Sequence, residues 1–161
     1  DARRWRLPPP ADRWRRFSSP LQRARRTAEL VRPSAPVTLD PALREMSFGT
    51  WEGQTIAGLR TTVGAAFLEA EARGLDFEAP GGESPRAAMA RIGAWAAALA
   101  ANGQPAVAVS HKATIRALLA LATGWNMLGR PPHKLDWQCL HFFVAHRDGR
   151  VAVERLNVPL A

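Results

Sequence analysis

"AVAVSHKATIRALLALATG", residues 106–124, changes character in its middle. Residues 106–109 alternate Ala and Val and read as a short buried strand, and residues 114–123 carry the apolar run of a helix. Ser110, His111, Lys112 and Thr114 stand at the junction, with Arg116 just beyond. A histidine at a strand end, followed by a helix start, faces the positive end of the helix dipole. The free N–H groups of residues 112–114 point the same way, which makes an anion site. Lys112 and Arg116 raise the local potential further. Read alone, the junction is better explained as a satisfied histidine near the surface with two solvated cations.

Outward from this junction the chain alternates strands and helices. A strand is expected over 13–17, then a helix over 21–31, a loop bracketed by Pro33 and Pro36, and a short strand over 37–39. "LREMSFGTWEGQ", residues 43–54, is a loop without sustained period. Residues 56–72 are helical in composition, with a soft spot at Gly64. "APGGESP", residues 79–85, is a loop. Residues 86–101 repeat Met89, Ile92, Trp95, Ala96 and Leu99 at helical spacing, and "ANGQP" ends that helix. "CLHFFVAHRDGRVAVERLN", residues 139–157, reads as a hairpin turning at Asp148–Gly149. The pattern predicts an α/β three-layer sandwich with a mostly parallel sheet and a C-terminal hairpin, in one domain over residues 1–161. Ligands of such sheets sit beyond the carboxyl ends of the strands.

The 161 residues are 47% hydrophobic, enough for one core. No apolar run is long enough to span a membrane. The arginine-rich start has no apolar stretch of the kind a secretory signal needs. One cysteine, Cys139, excludes an internal disulfide framework and fits a reducing cytoplasm. The net charge of +8 is concentrated in residues 1–32, which hold ten arginines against three acids. Most of the 22 cations are arginine and alanine is abundant, a pairing that GC-rich coding explains without a nucleic-acid partner. No His/Cys/Asp group has metal-ligand spacing, so neither metal nor cofactor is expected.

A second strand-to-helix junction, "FSSPLQRARRTAEL" (17–30), again ends a strand in small polar residues, among them Ser19. Pro20 suits the first turn of a helix. Arg23 lies in that turn, and Thr27 follows one turn later on the same face. A guanidinium there can hold a phosphate by two parallel hydrogen bonds. Arg25 and Arg26 read as a solvated basic face. Glu45, in a glycine- and aromatic-bearing loop, suits a general acid in a cleft. Glu83 and Ser84 precede a helix and read either as its cap or as a substrate contact.

"SSPLQRARRTAEL", "LREMSFGTWEG", "PGGES" and "VSHKATIRALL" succeed one another in an order that resembles the histidine phosphatase superfamily, the phosphoglycerate mutase-like fold. "FGTWEG" is more similar to the family's small phosphatases than to its glycolytic mutases. The resemblance implies a phosphatase acting on a small phosphorylated metabolite. It implies that Arg23 binds the phosphoryl group, that Glu45 gives a proton to the leaving oxygen, and that His111 hydrogen-bonds the phosphoryl in transit. Ser19, Lys112, Ala113, Glu83 and Ser84 complete the expected phosphate- and substrate-binding set. A homodimer stays open.

Two departures stand out. Lys112 and Ala113 follow the histidine where the family often has glycine. The family's nucleophile is a histidine in an Arg-His-Gly motif on its first strand, whereas the four histidines here are His111, His133, His141 and His146, and no Arg-His-Gly occurs. "DARRWRLPPP" resembles the end of the family's first helix. The expectation is therefore a domain lacking its first strand and most of its first helix, roughly 30 to 40 residues by ordinary element lengths. The gap should fall between the 106–109 strand and the 140–156 hairpin. A phospho-ligand-binding protein without turnover is the alternative, and a basic nucleic-acid-associated protein is a weaker one.

Overall fold

The computed structural model describes residues 2–33 and 35–160. Asp1, Ser34 and Ala161 fall outside them, so the expected helix end at 1–10 and the 33–36 loop are seen without Asp1 and Ser34. Residues 2–4 form a single 3-10 turn against the first helix, and the helix end that "DARRWRLPPP" resembles is not formed among the residues described there.

Strand β1 (Arg15–Ser18) leads through Ser19 and Pro20 into helix α1 (Gln22–Val31). Strand β2 (Thr38–Leu39) and a 3-10 turn at Pro41–Leu43 follow. The helix expected over 56–72 is two helices, α2 (Ile56–Thr62) and α3 (Ala65–Glu71). Gly64 separates them at φ +63°, a backbone state in which a helix cannot continue. Helix α4 (Pro85–Asn102) starts on Ser84, whose hydroxyl accepts from the Ala87 N–H at 3.2 Å, and stops at Gly103 with φ +64°. Strand β3 (Ala106–Val109) then runs into α5 (Lys112–Thr123), two residues earlier than the apolar run alone predicts. Strands β4 (Cys139–Ala145) and β5 (Val151–Pro159) close the chain as the expected hairpin, turning through Asp148–Gly149.

β1 is central and parallel to both neighbours, in the order β2-β1-β3. Alternation along β1 sorts its side chains to two faces. Phe17 packs with Leu43 and Ile92 and meets Trp95 edge-on at 5.6 Å, on the α4 side. Arg16 turns to the α1 side, where it donates to the Ala28 carbonyl at 3.0 Å. The α4 apolar positions read from the sequence are the ones that meet this core: Ile92 and Ala96 are buried, and Trp95 and Leu99 pack against the cluster. A helix layer on each side of a parallel sheet is the predicted architecture.

β4 and β5 form a separate two-stranded sheet, so no ladder joins β3 to β4. The break falls where the sequence predicts a gap. A cavity of about 460 Å³ opens on the α1 side of it and one of about 540 Å³ on the α4–α5 side. Val107, Ala108, Cys139 and Leu140 line both. Among the described residues, no helix is long and apolar enough to cross a membrane.

Candidate active site

The carboxyl ends of β1 and β3 lie side by side: Phe17 pairs with Ala108 and Ser18 with Val109, and the Ser19 N–H donates to the Val109 carbonyl at 2.9 Å. This register places two strand-to-helix junctions, 92 positions apart in sequence, in direct contact. His111 Nε2 and Ser19 Oγ are 2.8 Å apart, with His111 7% exposed and Ser19 fully buried. The Ser19 hydroxyl also accepts from the Leu21 N–H at 3.2 Å. It thus ties the start of α1 to the ring of His111, a contact the sequence did not signal.

Arg23 sits in the first turn of α1, exposed, and lines the α1-side cavity together with Glu45, His111 and Lys112. Thr27 lines it one turn further on, its hydroxyl donating to the Arg23 carbonyl at 3.0 Å. Arg25 and Arg26 instead pair with Glu29 on the exposed side of the helix, at 2.8 and 3.4 Å. The basic run "RARR" therefore divides into one cation for the cavity and two for solvent.

Glu45 is placed by its neighbours. Ser110 Oγ donates to the Leu43 carbonyl at 2.8 Å, and Thr114 Oγ1 to the Arg44 carbonyl at 2.6 Å. Arg91 of α4 donates to the Ala42 carbonyl at 2.6 Å from the other side. So held, the Glu45 carboxylate accepts from the N–H groups of Met46 (3.0 Å), Thr114 (3.3 Å) and, at the limit, Ala113 (3.5 Å). This corrects the expectation that the first N–H groups of α5 are free for an anion. Glu45 takes those of Ala113 and Thr114, so the positive helix end orients a carboxylate at the cavity wall.

Ser84 serves as the α4 cap, and Glu83 forms an ion pair with Arg91 at 2.7 Å. Ser84 thus fills the capping role, and neither residue lines the α1-side cavity. Arg91 itself carried no signal in the sequence, since an arginine on a helix is unremarkable until Glu83 and the carbonyls of 42 and 44 are brought to it.

Burial, then the charges of Arg23 and Arg91, lower the His111 pKa from 6.5 to about 4. The imidazole is neutral near pH 7, hydrogen-bonded to the Ser19 hydroxyl and within the positive field of Arg23 and Arg91. Among the other histidines, His133 and His146 are exposed, and His141 lies on the opposite cavity with Nδ1 accepting from the Asn157 N–H at 3.2 Å. Among the described residues no group of three or more His, Cys, Asp or Glu side chains is arranged to hold a metal.

An arginine, a carboxylate and a buried histidine thus line one cavity at the carboxyl edge of a parallel sheet. The family profile of the histidine phosphatase superfamily (branch 1) matches residues 5–159, and the chain belongs to that family. Among solved structures it is similar to a mycobacterial glucosyl-3-phosphoglycerate phosphatase bound to inorganic phosphate, at 27% identity and TM-score 0.71, over 90% of this chain and 77% of that one. It shares its fold with the α-ribazole phosphatase of Shigella flexneri (22% identity, TM-score 0.69, 91% and 75% covered). The same holds for YhfR of Bacillus stearothermophilus (20% identity, TM-score 0.75, 91% and 74% covered). A search of curated proteins finds no match.

Proposed function

We propose that these residues form the phosphoryl-binding part of a phosphomonoester hydrolase that acts on a small phosphorylated metabolite through a phosphohistidine. The observation that carries this reading is the meeting of Arg23, Glu45 and His111 around one cavity, with His111 buried. In this reading Arg23 holds two phosphoryl oxygens, and His111 hydrogen-bonds the phosphoryl as charge gathers on it. A nucleophilic imidazole attacks phosphorus, the ester P–O bond breaks, and Glu45 gives the leaving oxygen its proton. Water then cleaves the P–N bond, with Glu45 taking the water's proton.

The attacking imidazole belongs to none of the four histidines. His111 is the one on the cavity, and its Nε2 is engaged by Ser19. The unladdered break between β3 and β4 supports a strand seated there as the element that brings the nucleophile. Inorganic phosphate binding, followed by calorimetry, tests the site itself. Arg23→Ala should abolish it and Arg25→Ala should leave it, because Arg25 is turned away to Glu29. Equal losses would reduce the site to diffuse positive charge. A protein that binds phosphorylated ligands without turnover would share this binding and differ only in the absence of turnover by a chain extended with the nucleophile-bearing strand.

A further inference from the structure

Ser19 and His111 follow the ends of β1 and β3, which are paired neighbours, so their contact does not cross the break in the sheet. Ser19 is fully buried, and among the described residues its hydroxyl has two partners: the Leu21 N–H at 3.2 Å and His111 Nε2 at 2.8 Å. The two contacts differ in kind. An amide N–H can only donate, so the first uses a lone pair of Oγ and leaves the hydroxyl hydrogen unplaced. A buried hydroxyl hydrogen needs an acceptor, and among the described residues the one within reach is His111 Nε2. A ring nitrogen accepts only when it carries no proton, and an uncharged imidazole then holds its proton on the other nitrogen. The ring is uncharged near pH 7, its pKa lying at about 4. Nδ1 forms no hydrogen bond among the described residues. The side-chain polar atoms that are both buried and unpartnered there are Asp12 Oδ1, Arg16 Nε and His141 Nε2; Nδ1 is not one of them and so keeps an open side. His111 lines the cavity with Arg23, and Ser19 does not.

We infer that Ser19 is a positioning residue: its hydroxyl donates to His111 Nε2, so that the ring carries its proton on Nδ1 and presents that N–H to a phosphoryl oxygen. This rests on the reading of Arg23 and His111 as the phosphoryl site and adds the proton with which the ring meets the phosphoryl. In the opposite tautomer Nδ1 would turn a lone pair toward the phosphoryl oxygens, and Ser19 would keep a buried hydrogen without an acceptor. Both penalties favour the same form. The Leu21 N–H holds the hydroxyl in place, and the Ser19 N–H, donating to the Val109 carbonyl at 2.9 Å, fixes its backbone to the strand that leads into His111. Ser19 thus acts on the phosphoryl group through His111, not by contact with it.

NMR of the ring nitrogens separates a protonated nitrogen from a bare one, and the signals lost in His111→Gln identify the ring. Near pH 8 and without ligand, the 161-residue chain should hold His111 in the Nδ1–H form by about tenfold over the Nε2–H form. Ser19→Ala should bring that ratio below about threefold. Ser18→Ala removes the neighbouring buried hydroxyl, which donates to the Ser19 carbonyl at 2.9 Å, and should preserve the ratio. Saturating inorganic phosphate should move the Nδ1 signal in the wild type and draw the Ser19→Ala mixture back toward the Nδ1–H form, because the anion selects the tautomer that donates to it. A wild-type ring in the Nε2–H form overturns the inference and leaves the phosphoryl site standing, since that measurement uses no ligand. So does a ratio unchanged in Ser19→Ala, or one lowered as much by Ser18→Ala, which assigns the effect to packing. Bound phosphate that leaves Nδ1 and the Ser19→Ala mixture unmoved also overturns it. A chain that shows the expected tautomer and binds no phosphate overturns the phosphoryl site, and the role given to the ring's proton falls with it.

Discussion

His111 is an imidazole that its surroundings keep uncharged. Burial is the larger cause, and Arg23 and Arg91 add repulsion, so it protonates near pH 4 in the folded chain and near 6.5 in the unfolded one. As pH falls from about 6.5 to about 4, the unfolded chain takes up a proton there that the folded chain refuses. The neutral ring's contribution is therefore complete above pH 6.5 and is lost on acidification, by up to about 3 kcal/mol. Urea unfolding at pH 7 and pH 4.5 should show this drop in the wild type and a smaller one in His111→Gln. A phosphate dianion between Arg23 and His111 reverses the electrostatics, so the His111 pKa should rise when the site is saturated. The ring's proton chemical shifts, titrated with and without phosphate, report it directly. A titration unmoved by saturating phosphate would separate the anion from the imidazole. The residues "SHK" showed that a histidine stands at an anion-friendly junction; they could not show its neutrality, which comes from burial and then from Arg23 and Arg91, both remote in sequence.

The elements that carry the site are fastened to one another by loops that read as separate weak signals. "FGTWEG" and "PGGES" interlock: the Thr50 N–H donates to the Pro80 carbonyl at 3.0 Å, and the Glu83 N–H to the Ser47 carbonyl at 2.8 Å. Gly49 has φ +49°, and a Cβ built on it would stand 2.2 Å from the Pro80 oxygen. Gly49→Ala must break this junction, at a cost of about 3 kcal/mol, whereas Gly53→Ala, at φ +75° in open space, should cost about 1 kcal/mol. Their urea midpoints should separate accordingly. Thr114→Val removes the 2.6 Å donor to the Arg44 carbonyl, which keeps only its 3.2 Å bond from Arg91, and should destabilise by about 1 kcal/mol, loosening Glu45 with it. Residues 106–109 and α4 were legible because burial imposes period 2 and period 3.6 on the side chains themselves. Two boundaries were not. The break at Gly64 is a backbone event inside a helical composition. The start of α5 at Lys112 places a cation where helix electrostatics disfavours one. The interlock was hidden for another reason: its bonds run between backbone groups, which leave no pattern in residue types.

At the scale of the whole molecule the site sits beside a sheet that does not close. The four-part order of motifs made the family legible, and the sheet itself shows the break, with no ladder joining β3 to β4. The structure adds that the break has a cavity on each face, both lined by Val107, Ala108, Cys139 and Leu140. A strand laid between β3 and β4 would alternate its side chains into the two cavities and ladder with both edges. Its carboxyl end, if it runs parallel to β3, would emerge beside Ser19, Arg23 and His111, which is where a nucleophile must stand to be in line with a phosphoryl held by Arg23. Positioning and electrostatics without an attacking atom support at most a small residual rate. The 161-residue chain should therefore hydrolyse a generic aryl phosphate negligibly. A chain extended at its N-terminus by such a strand, carrying Arg-His-Gly, should turn it over and trap an acid-labile phosphohistidine. Stability should move with activity, since the strand buries apolar surface and pairs two open edges. A gain of about 4 kcal/mol would raise Tm by roughly 8–16 °C for a domain of this size. A rise in Tm without turnover would favour a phospho-ligand-binding protein over a hydrolase. Equal turnover by the two chains, carried through an Arg23→Ala control, would place the nucleophile within these 161 residues and remove the inserted strand from the mechanism.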